Sequence, residues 1–291
     1  MLKISKISFP GLGIGEFDVE SVAFSIGDIE IAWYALIITV GIIAAGLYTI
    51  WRANQVNIST EDIIDFLLFV VPTGIIGARL YYVLTTLEKY HSFKEVINIR
   101  NGGLAIYGGI LAGALAVFLV ARFKKIPFLT IADCCTPGII LAQSIGRWGN
   151  FMNGEAFGYQ TDLFIRMGLY NNITVEKFDT SEMVFVHPTF LYESLWNLVG
   201  FVLINLFYKH RKYDGQVFLM VFGWYGLGRL WIEGLRTDSL MIFGGTVRVS
   251  QLLACLIFIG AAVLLTYFAI KKYEKPIFIQ PEKQKNNTKK K

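Results

Sequence analysis

Apolar runs of about twenty residues, the length an α-helix needs to cross the hydrocarbon core of a bilayer, dominate this chain of 291 residues. Seven stand out, roughly Ile31–Ile50, Ile63–Leu84, Leu104–Ala121, Phe128–Ile145, Pro188–Tyr208, Gln216–Leu235 and Val249–Ile270. Inside lipid, backbone N–H and C=O groups must pair within the chain, so these runs are expected as helices. The fold class expected is an all-α polytopic membrane protein with about seven transmembrane helices. Charge agrees with this: Asp, Glu, Lys and Arg make up 17% of the residues, against about 25% in a soluble domain.

The segments between the runs set orientation and domains. The short basic loops Arg122–Lys125 and Lys209–Lys212, Arg52 and the C-terminal stretch all follow odd-numbered spans. Cytoplasmic loops carry the excess of Lys and Arg, so that side is expected inside, with the N-terminus outside and the C-terminus cytoplasmic. Residues 1–30 read as an outer-surface arm. Lys3 and Lys6 resemble the start of a signal peptide, but residues 9–21 interrupt any apolar segment behind them. Residues 31–273 read as one seven-helix membrane domain. Within it the polar link 146–187 forms a small outer-face head with the arm. Residues 274–291 read as a basic cytoplasmic tail, either a disordered solubilising end or a contact to an anionic leaflet. The formal charge of +5 does not point to nucleic acid, because no basic stripe is interleaved with exposed aromatics on a soluble fold. Cys134, Cys135 and Cys255 sit in apolar runs, which disfavours both a disulfide framework and a thiolate.

Six ionisable residues fall inside the runs: Asp65, Arg79, Asp133, Glu193, Arg229 and Glu233. Each costs about 2.5–3.5 kcal/mol at the centre of a membrane helix, a cost offset by pairing or by function. Asp65 and Arg79 stand about 21 Å apart on one helix, so each needs a partner elsewhere. Tyr225, Arg229, Glu233 and Arg236 recur at helical spacing and share one face. An Arg229–Glu233 pair alone would be an ordinary helical ion pair. Two arginines with a tyrosine and a carboxylate read rather as an anion site, since the planar guanidinium fork suits phosphate. The run GRWGNFMNGEAFG, Gly146 to Gly158, is expected as a headgroup-binding turn. Its glycines permit close backbone approach, and Arg147, Asn150, Asn153 and Glu155 supply donors and acceptors. Gly109 and Gly113 form a GxxxG expected at a close helix contact, with Tyr107 beside it. His187, Pro188, Tyr192 and Glu193 open the fifth span, and a lone histidine of this kind is more often structural than catalytic.

Taken together these runs resemble the prolipoprotein diacylglyceryl transferase family. Gly146, Arg147, Gly149, Asn150, Phe151, Asn153, Glu155 and Gly158 match every fixed position of the family's signature GRxGNFxNxExxG. Trp33-Tyr34, Gly77–Arg79, Gly102–Gly109, His187–Glu193 and Tyr225–Arg236 follow the family's order, and the resemblance covers about Ile31 to Leu265. There is one departure: the family usually carries histidine where this chain has Tyr107. A phenol, with a reference pKa of about 10, does not readily take a proton near neutral pH.

The resemblance implies an enzyme of the bacterial cell membrane with its active site toward the outer face. Its substrates would be phosphatidylglycerol, drawn from the surrounding membrane lipids, and preprolipoprotein signal peptides bearing a lipobox cysteine. The thiol would attack the glyceryl carbon that bears the phosphate ester, and glycerol phosphate would leave. Arg147 is expected to hold the headgroup and Arg229 to face the leaving phosphate, where preorganised cations stabilise developing charge. Asn150, Asn153 and Glu155 would orient headgroup hydroxyls. Gly158, Arg79, Tyr225, Arg236 and His187 would complete substrate binding. The nucleophile is a thiolate, and Tyr34, Tyr107, Glu233 and His187 stand as alternatives for assisting its formation. The sequence shows no metal cluster and no nucleotide loop, so no metal and no cofactor is expected. The competing class is an anionic-lipid transporter or binding protein using the same arginines without chemistry. Polarity concentrated at one face rather than at the midplane of broken helices argues against it.

Overall fold

The computed structural model describes residues 4–90, 92–99, 102–242 and 247–281. Its helices, in chain order, are α1 (Trp33–Asn54), α2 (Thr60–Thr85), α3 (Phe93–Ile97), α4 (Ile106–Lys124), α5 (Phe128–Asn153), α6 (Asn172–Phe178), α7 (Thr189–Phe207), α8 (Gln216–Leu235) and α9 (Val249–Ile270). Among the described residues six helices are long and apolar enough to cross a membrane: α1, α2, α4, α5, α7 with its extension to His210, and α9. The remaining expected span, α8, has the boundaries read from the sequence but is not one of the six. Gly223, Gly226, Gly228 and Gly234, with Arg229 and Glu233, dilute its apolar character.

The all-helical expectation is completed by short strands: β1 (Ile4–Phe9), β2 (Ile14–Glu20), β3 (Val22–Ile26), β4 (Ile29–Ala32), β5 (Met167–Tyr170), β6 (Val184–Val186), β7 (Met241–Ile242) and β8 (Val247–Arg248). Four of them form a sheet in the order β2-β1-β5-β6. Because β1 pairs antiparallel with β5, Ile7 opposite Leu169, the N-terminal arm and the link before α7 form one element. The first expected span starts late because residues 29–32 belong to β4; α1 begins at Trp33, whose N–H donates to Ser21 O at 2.9 Å.

The chain falls into two compact units, Met1–Leu47 with Cys135–Lys275, and Tyr48–Cys134 with Pro276–Lys291. The division lies inside α1 and α5. In the second unit α2 and α4 approach through glycine: a Cβ on Gly77 would lie 2.2 Å from Ala112 Cβ, and one on Gly108 would lie 2.3 Å from Gly77 O. The closest contact thus centres on Gly108 rather than on the expected Gly109–Gly113 pair; a Cβ on Gly109 would lie 3.4 Å from Gly74 O, and one on Gly113 would meet only Val70 Cγ1, at 3.8 Å. Asp65 finds its partner in Lys124, at 2.6 Å, which also meets Asp62 at 2.8 Å. A core of Ala53, Val56, Ile58, Ile63, Phe66 and their neighbours is covered in part by Ile277 and Phe278, and Gln280 N–H donates to Val56 O at 2.9 Å. The start of the expected tail is therefore docked through residue 280. Its last residues, 282–291, lie outside the described residues.

In the first unit the sheet's inner face packs Ile7, Val19, Met167, Leu169, Val184 and Val186 onto Phe157 and Phe190. That core joins the sheet to the end of α5 and the start of α7. A second core, with Ile140, Ile204, Tyr208, Val217 and Val221, ties α5, α7 and α8 together. Along α9, Leu252, Leu253, Leu256, Ile259, Val263 and Leu264 are exposed. So continuous an apolar face is a liability in water and the ordinary surface of a membrane helix.

Candidate active site

The signature run splits between helix and turn. α5 continues past the expected end at Ile145 to Asn153, so Arg147 and Asn150 stand one turn apart on a helix instead of in a loop. The helix stops where Gly154 takes a φ of 60°. A side chain there is excluded twice over, since a Cβ would lie 2.3 Å from Ser5 Oγ and 2.4 Å from Asn171 Nδ2. Asn171 caps α6 through its side-chain oxygen and donates from Nδ2 to Gly154 O at 2.8 Å and to Ser5 Oγ at 3.1 Å. The turn is thereby pinned to the sheet.

Three arginines converge on Glu193, one turn into α7. Arg147 Nη2 lies 2.6 Å from Glu193 Oε2, Arg229 Nη1 lies 3.0 Å from Oε1, and Arg236 Nη1 lies 3.1 Å from the same oxygen. Arg229 Nη2 also contacts Glu233 Oε2 at 2.5 Å, an ion pair that lacks hydrogen-bond alignment. The Glu193 and Glu233 side chains are 5% and 2% exposed, whereas those of Arg147, Arg229 and Arg236 keep 21%, 14% and 11%. Arg147 Nη1 donates to Asn150 Oδ1 at 3.3 Å, and Asn150 and Asn153 each donate from Nδ2 to Glu155 Oε1 at 3.1 Å. The polar residues of the signature form one network that begins at the arginine cluster.

Arg236 caps α8 in extended conformation, past the helical face on which it was expected, yet still reaches Glu193. Its other nitrogens hold Asp238, Nε at 2.9 Å from Oδ1 and Nη2 at 2.7 Å from Oδ2. Burial works against both charges. The hydrogen-bonded pairing outweighs it, holding the Asp238 carboxyl below its usual range and the Arg236 guanidinium above its own. Gly158, expected to bind substrate, is the point of backbone approach that sets Arg236, bridging to it and donating to His187 O at 3.0 Å. A Cβ there would lie 2.6 Å from His187 Cβ and 2.9 Å from Leu235 O. His187 Nδ1 lies 3.3 Å from Tyr192 Oη, and burial pushes its pKa down, which leaves a neutral imidazole at pH 7. Tyr34 packs on the signature helix: a Cβ on Gly149 would lie 2.7 Å from Tyr34 Cδ2. Tyr225 stands one turn before Arg229 on α8.

Two expected site residues belong to the other unit. Tyr107 is half-buried in the first turn of α4. Arg79, expected as a substrate ligand, has all five N–H donors turned to backbone carbonyls: Nε to Val96, Nη1 to Gly102 and Gly103, Nη2 to Glu95 and Asn98, at 2.7–3.0 Å. A guanidinium has five such donors, so Arg79 holds the segment between α2 and α4 and has none left for a lipid.

The meeting of Glu193 with Arg229 depends on how α7 and α8 are keyed. Trp196 and Trp224 stack with centroids 4.5 Å apart, and each indole N–H donates to the other's backbone carbonyl, at 3.0 and 2.9 Å. Each tryptophan lies over a glycine of the opposite helix: a Cβ on Gly200 or Gly228 would fall 2.2 Å from the facing Nε1. The sequence reading missed this pair and missed Glu193 as a hub. The signal available was Trp-x-x-x-Gly, present once in α7 and once in α8.

Helices fit to cross a membrane, with three arginines gathered on one buried carboxylate beside a pinned glycine turn, define a multi-pass membrane protein with a buried ionic cluster. A model of the prolipoprotein diacylglyceryl transferase family matches residues 21–267, and the chain belongs to that family. It is 44% identical over 270 residues to phosphatidylglycerol–prolipoprotein diacylglyceryl transferase 1 of Clostridium perfringens, covering 89% of this chain and 98% of that one. Like-named proteins of Lactobacillus delbrueckii subsp. bulgaricus (86% of this chain and 91% of that one) and Streptococcus pneumoniae (91% and 100%) are each 41% identical.

Proposed function

We propose that this chain transfers the diacylglyceryl group of phosphatidylglycerol to the lipobox cysteine of preprolipoproteins, the first step of lipoprotein maturation. The observation that carries the reading is the convergence of Arg147, Arg229 and Arg236 on Glu193 beside the run that matches the family's signature. In the reaction a bond forms between the cysteine sulfur and the glyceryl carbon. The bond from that carbon to the phosphate oxygen breaks, its electron pair leaving with glycerol phosphate. The thiol proton leaves the sulfur before or during attack.

The exposure of the guanidinium groups supports a phosphodiester as the ligand. Three guanidinium groups meet three carboxylates, the deeply buried Glu193 and Glu233 and the 44% exposed Asp238, so the cluster is neutral in sum. Among the described residues Arg147, the most exposed of the three arginines, has Glu193 as its one ion-pair partner and shares it with Arg229 and Arg236, and it would turn its exposed edge to a phosphodiester. Arg147 would hold the headgroup, Arg229 would face the leaving oxygen as charge grows there, and Arg236 and Tyr225 would border the same seat. Asn150, Asn153 and Glu155 would orient headgroup hydroxyls. His187, neutral at pH 7, with Tyr34, Tyr107 and Glu233, remains in the set that would assist thiol ionisation. In the membrane, α8 would make the seventh span, and the sheet with link 146–187 would stand outside, as would the N-terminus; the basic loops would face the cytoplasm.

The test is glycerol phosphate release by the purified chain in phosphatidylglycerol vesicles, with and without a lipobox peptide. Release that requires the peptide, with the peptide gaining a diacylglyceryl thioether, is expected. Release without peptide would make it a lipid hydrolase, and lipid binding without release would make it a carrier; either sinks the reading. Arg147→Ala should abolish transfer in a folded protein.

A further inference from the structure

We infer that Glu193 is a positioning residue for this transfer: its carboxylate spaces the three guanidinium groups so that they stand preassembled as a seat for a phosphodiester. The inference rests on the function proposed above and deepens it. Arg147 comes from α5 and Arg229 from α8, while Arg236 follows the end of α8. Like charges on separate elements repel and would spread without a shared counter-ion. Among the described residues Glu193 is the one acidic side chain that contacts all three, and it divides its oxygens between them, Oε2 to Arg147 and Oε1 to both others. Among the described residues no other ion pair joins the two sides of the cluster: the second contact of Arg147 runs away from it to Asn150 and those of Arg229 and Arg236 run to Glu233 and Asp238. At 5% exposure the carboxylate lies behind the guanidinium groups, which keep the larger exposure. The geometry is that of a backing anion with its cations presented outward. Three elements also fix Glu193 itself: the Trp196–Trp224 clamp one turn along α7, Ser194 joined to Ser144 of α5 with Ser144 Oγ donating to Ser194 O at 2.8 Å, and Phe190 in the core beneath the sheet.

The chemistry of the side chain separates positioning from packing. Glutamine has the same shape but only one acceptor oxygen, and its NH2 would face a guanidinium donor, so one side of the cluster must let go. Aspartate keeps both oxygens and the charge but draws them back by one methylene, too far to serve all three arginines. The experiment uses the full chain in phosphatidylglycerol vesicles with a lipobox peptide, and rates are counted per folded molecule from thermal melts. Glu193→Asp is expected to fold and to lose at least about 10-fold in kcat with KM for the lipid changed by less than about threefold, as misplacement at a reacting centre does. Glu193→Gln is expected to lose at least about 100-fold in kcat. Inorganic phosphate should raise its melting temperature at concentrations at least about tenfold below those the parent needs, because the cluster gains an uncompensated positive charge and a ligand bound by the folded state stabilises it. A packing role would not increase affinity for a free anion. Parental kcat in either variant, or unchanged phosphate sensitivity in Glu193→Gln, overturns the inference. So does failure of both variants to fold, which would make Glu193 a requirement of the bundle rather than of the site. If the parent chain itself releases no glycerol phosphate with lipid and peptide present, the proposed function fails instead, and the two failures are distinguishable.

Discussion

Replacing Gly228 with alanine should uncouple the site from its scaffold without touching a charged group. The added Cβ would lie 2.2 Å from Trp196 Nε1, 2.4 Å from Cδ1 and 2.9 Å from Cε2. Relief to an ordinary contact near about 3.5 Å requires the indole or the helix to move by about 1 Å. The indole cannot turn away cheaply, since it donates to Trp224 O at 3.0 Å and stacks on the Trp224 ring. Overpacking of this kind costs about 1–3 kcal/mol, and the lost hydrogen bond adds about 1 kcal/mol. The better helix propensity of alanine returns at most about 1 kcal/mol, leaving a net loss of about 1–3 kcal/mol. The larger effect falls on activity. Arg229 is the next residue and Glu193 is three residues before Trp196, so separating α7 from α8 opens the 3.0 Å Arg229–Glu193 contact. A 1 Å misplacement at a reacting centre can cost about 100-fold in rate. Thermal melts in detergent and transfer rates on vesicles measure the two effects separately. Gly260→Ala is the control, since a Cβ on that α9 glycine meets nothing within 4 Å. If Gly228→Ala melts and turns over like Gly260→Ala, the tryptophan clamp does not set the site and the reasoning fails.

Arg79→Ala should reduce the yield of folded protein rather than lipid affinity. The variant strips a charged donor from five part-buried hydrogen bonds, worth about 1.5–3 kcal/mol each when a charged group takes part, a loss above about 3 kcal/mol by urea or thermal unfolding. Arg79→Lys, with three donors for five carbonyls, should rescue little, and a lysine variant of parental stability would contradict the assignment. Tyr107→Phe tests the phenol directly: a rate within about twofold of the parent excludes its hydroxyl as the proton acceptor, and a large loss with an intact melt would implicate it. Two groups outside the spans predict acid sensitivity. The folded pKa of Asp238 lies below its unfolded value of 3.8, so its contribution is present above 3.8 and lost as pH falls through the folded value. The folded pKa of His187 lies below its unfolded 6.5, so stability is also given up as pH drops below 6.5, where the unfolded chain takes the proton first. Melts from pH 8 to 3 should show both declines. His187→Gln should flatten the upper one and Asp238→Asn the lower, and unchanged profiles would refute the assignments.

The long helices were legible because hydrocarbon forces every backbone hydrogen bond inside the segment. Val249–Ile270 and Gln216–Leu235 emerge as helices with the boundaries read from the sequence, the first of them also long and apolar enough to cross a membrane. What periodicity could not supply was pairing across distance. Lys6 faces Tyr170 across the β1–β5 ladder, and nothing local in either short strand announces the other. The same limit explains the signature: its glycines suggested a turn throughout, yet helical hydrogen bonding runs on to Asn153 and only Gly154 has the positive φ. Arg79 shows a third kind of limit. An arginine inside an apolar run needs a partner, and function is the economical guess, but backbone carbonyls of a neighbouring loop satisfy it as completely as a phosphate would.

Arg79 and Glu193 together show what separates a structural charge from a functional one in a membrane protein. Both are buried, and both are fully engaged. Arg79 ends in neutral carbonyls, so its positive charge is solvated by dipoles and its contacts have no reason to change. Glu193 ends in three cations, and Glu233 and Asp238 bring the count to three carboxylates against three guanidinium groups. The charges balance, but they sit on side chains whose pairings an incoming ion can rearrange, because a guanidinium pairs with a phosphate as readily as with a carboxylate. The neutral set around Arg79 closes a fold. The ionic set around Glu193 is the one that an anionic lipid would re-pair under the proposed function.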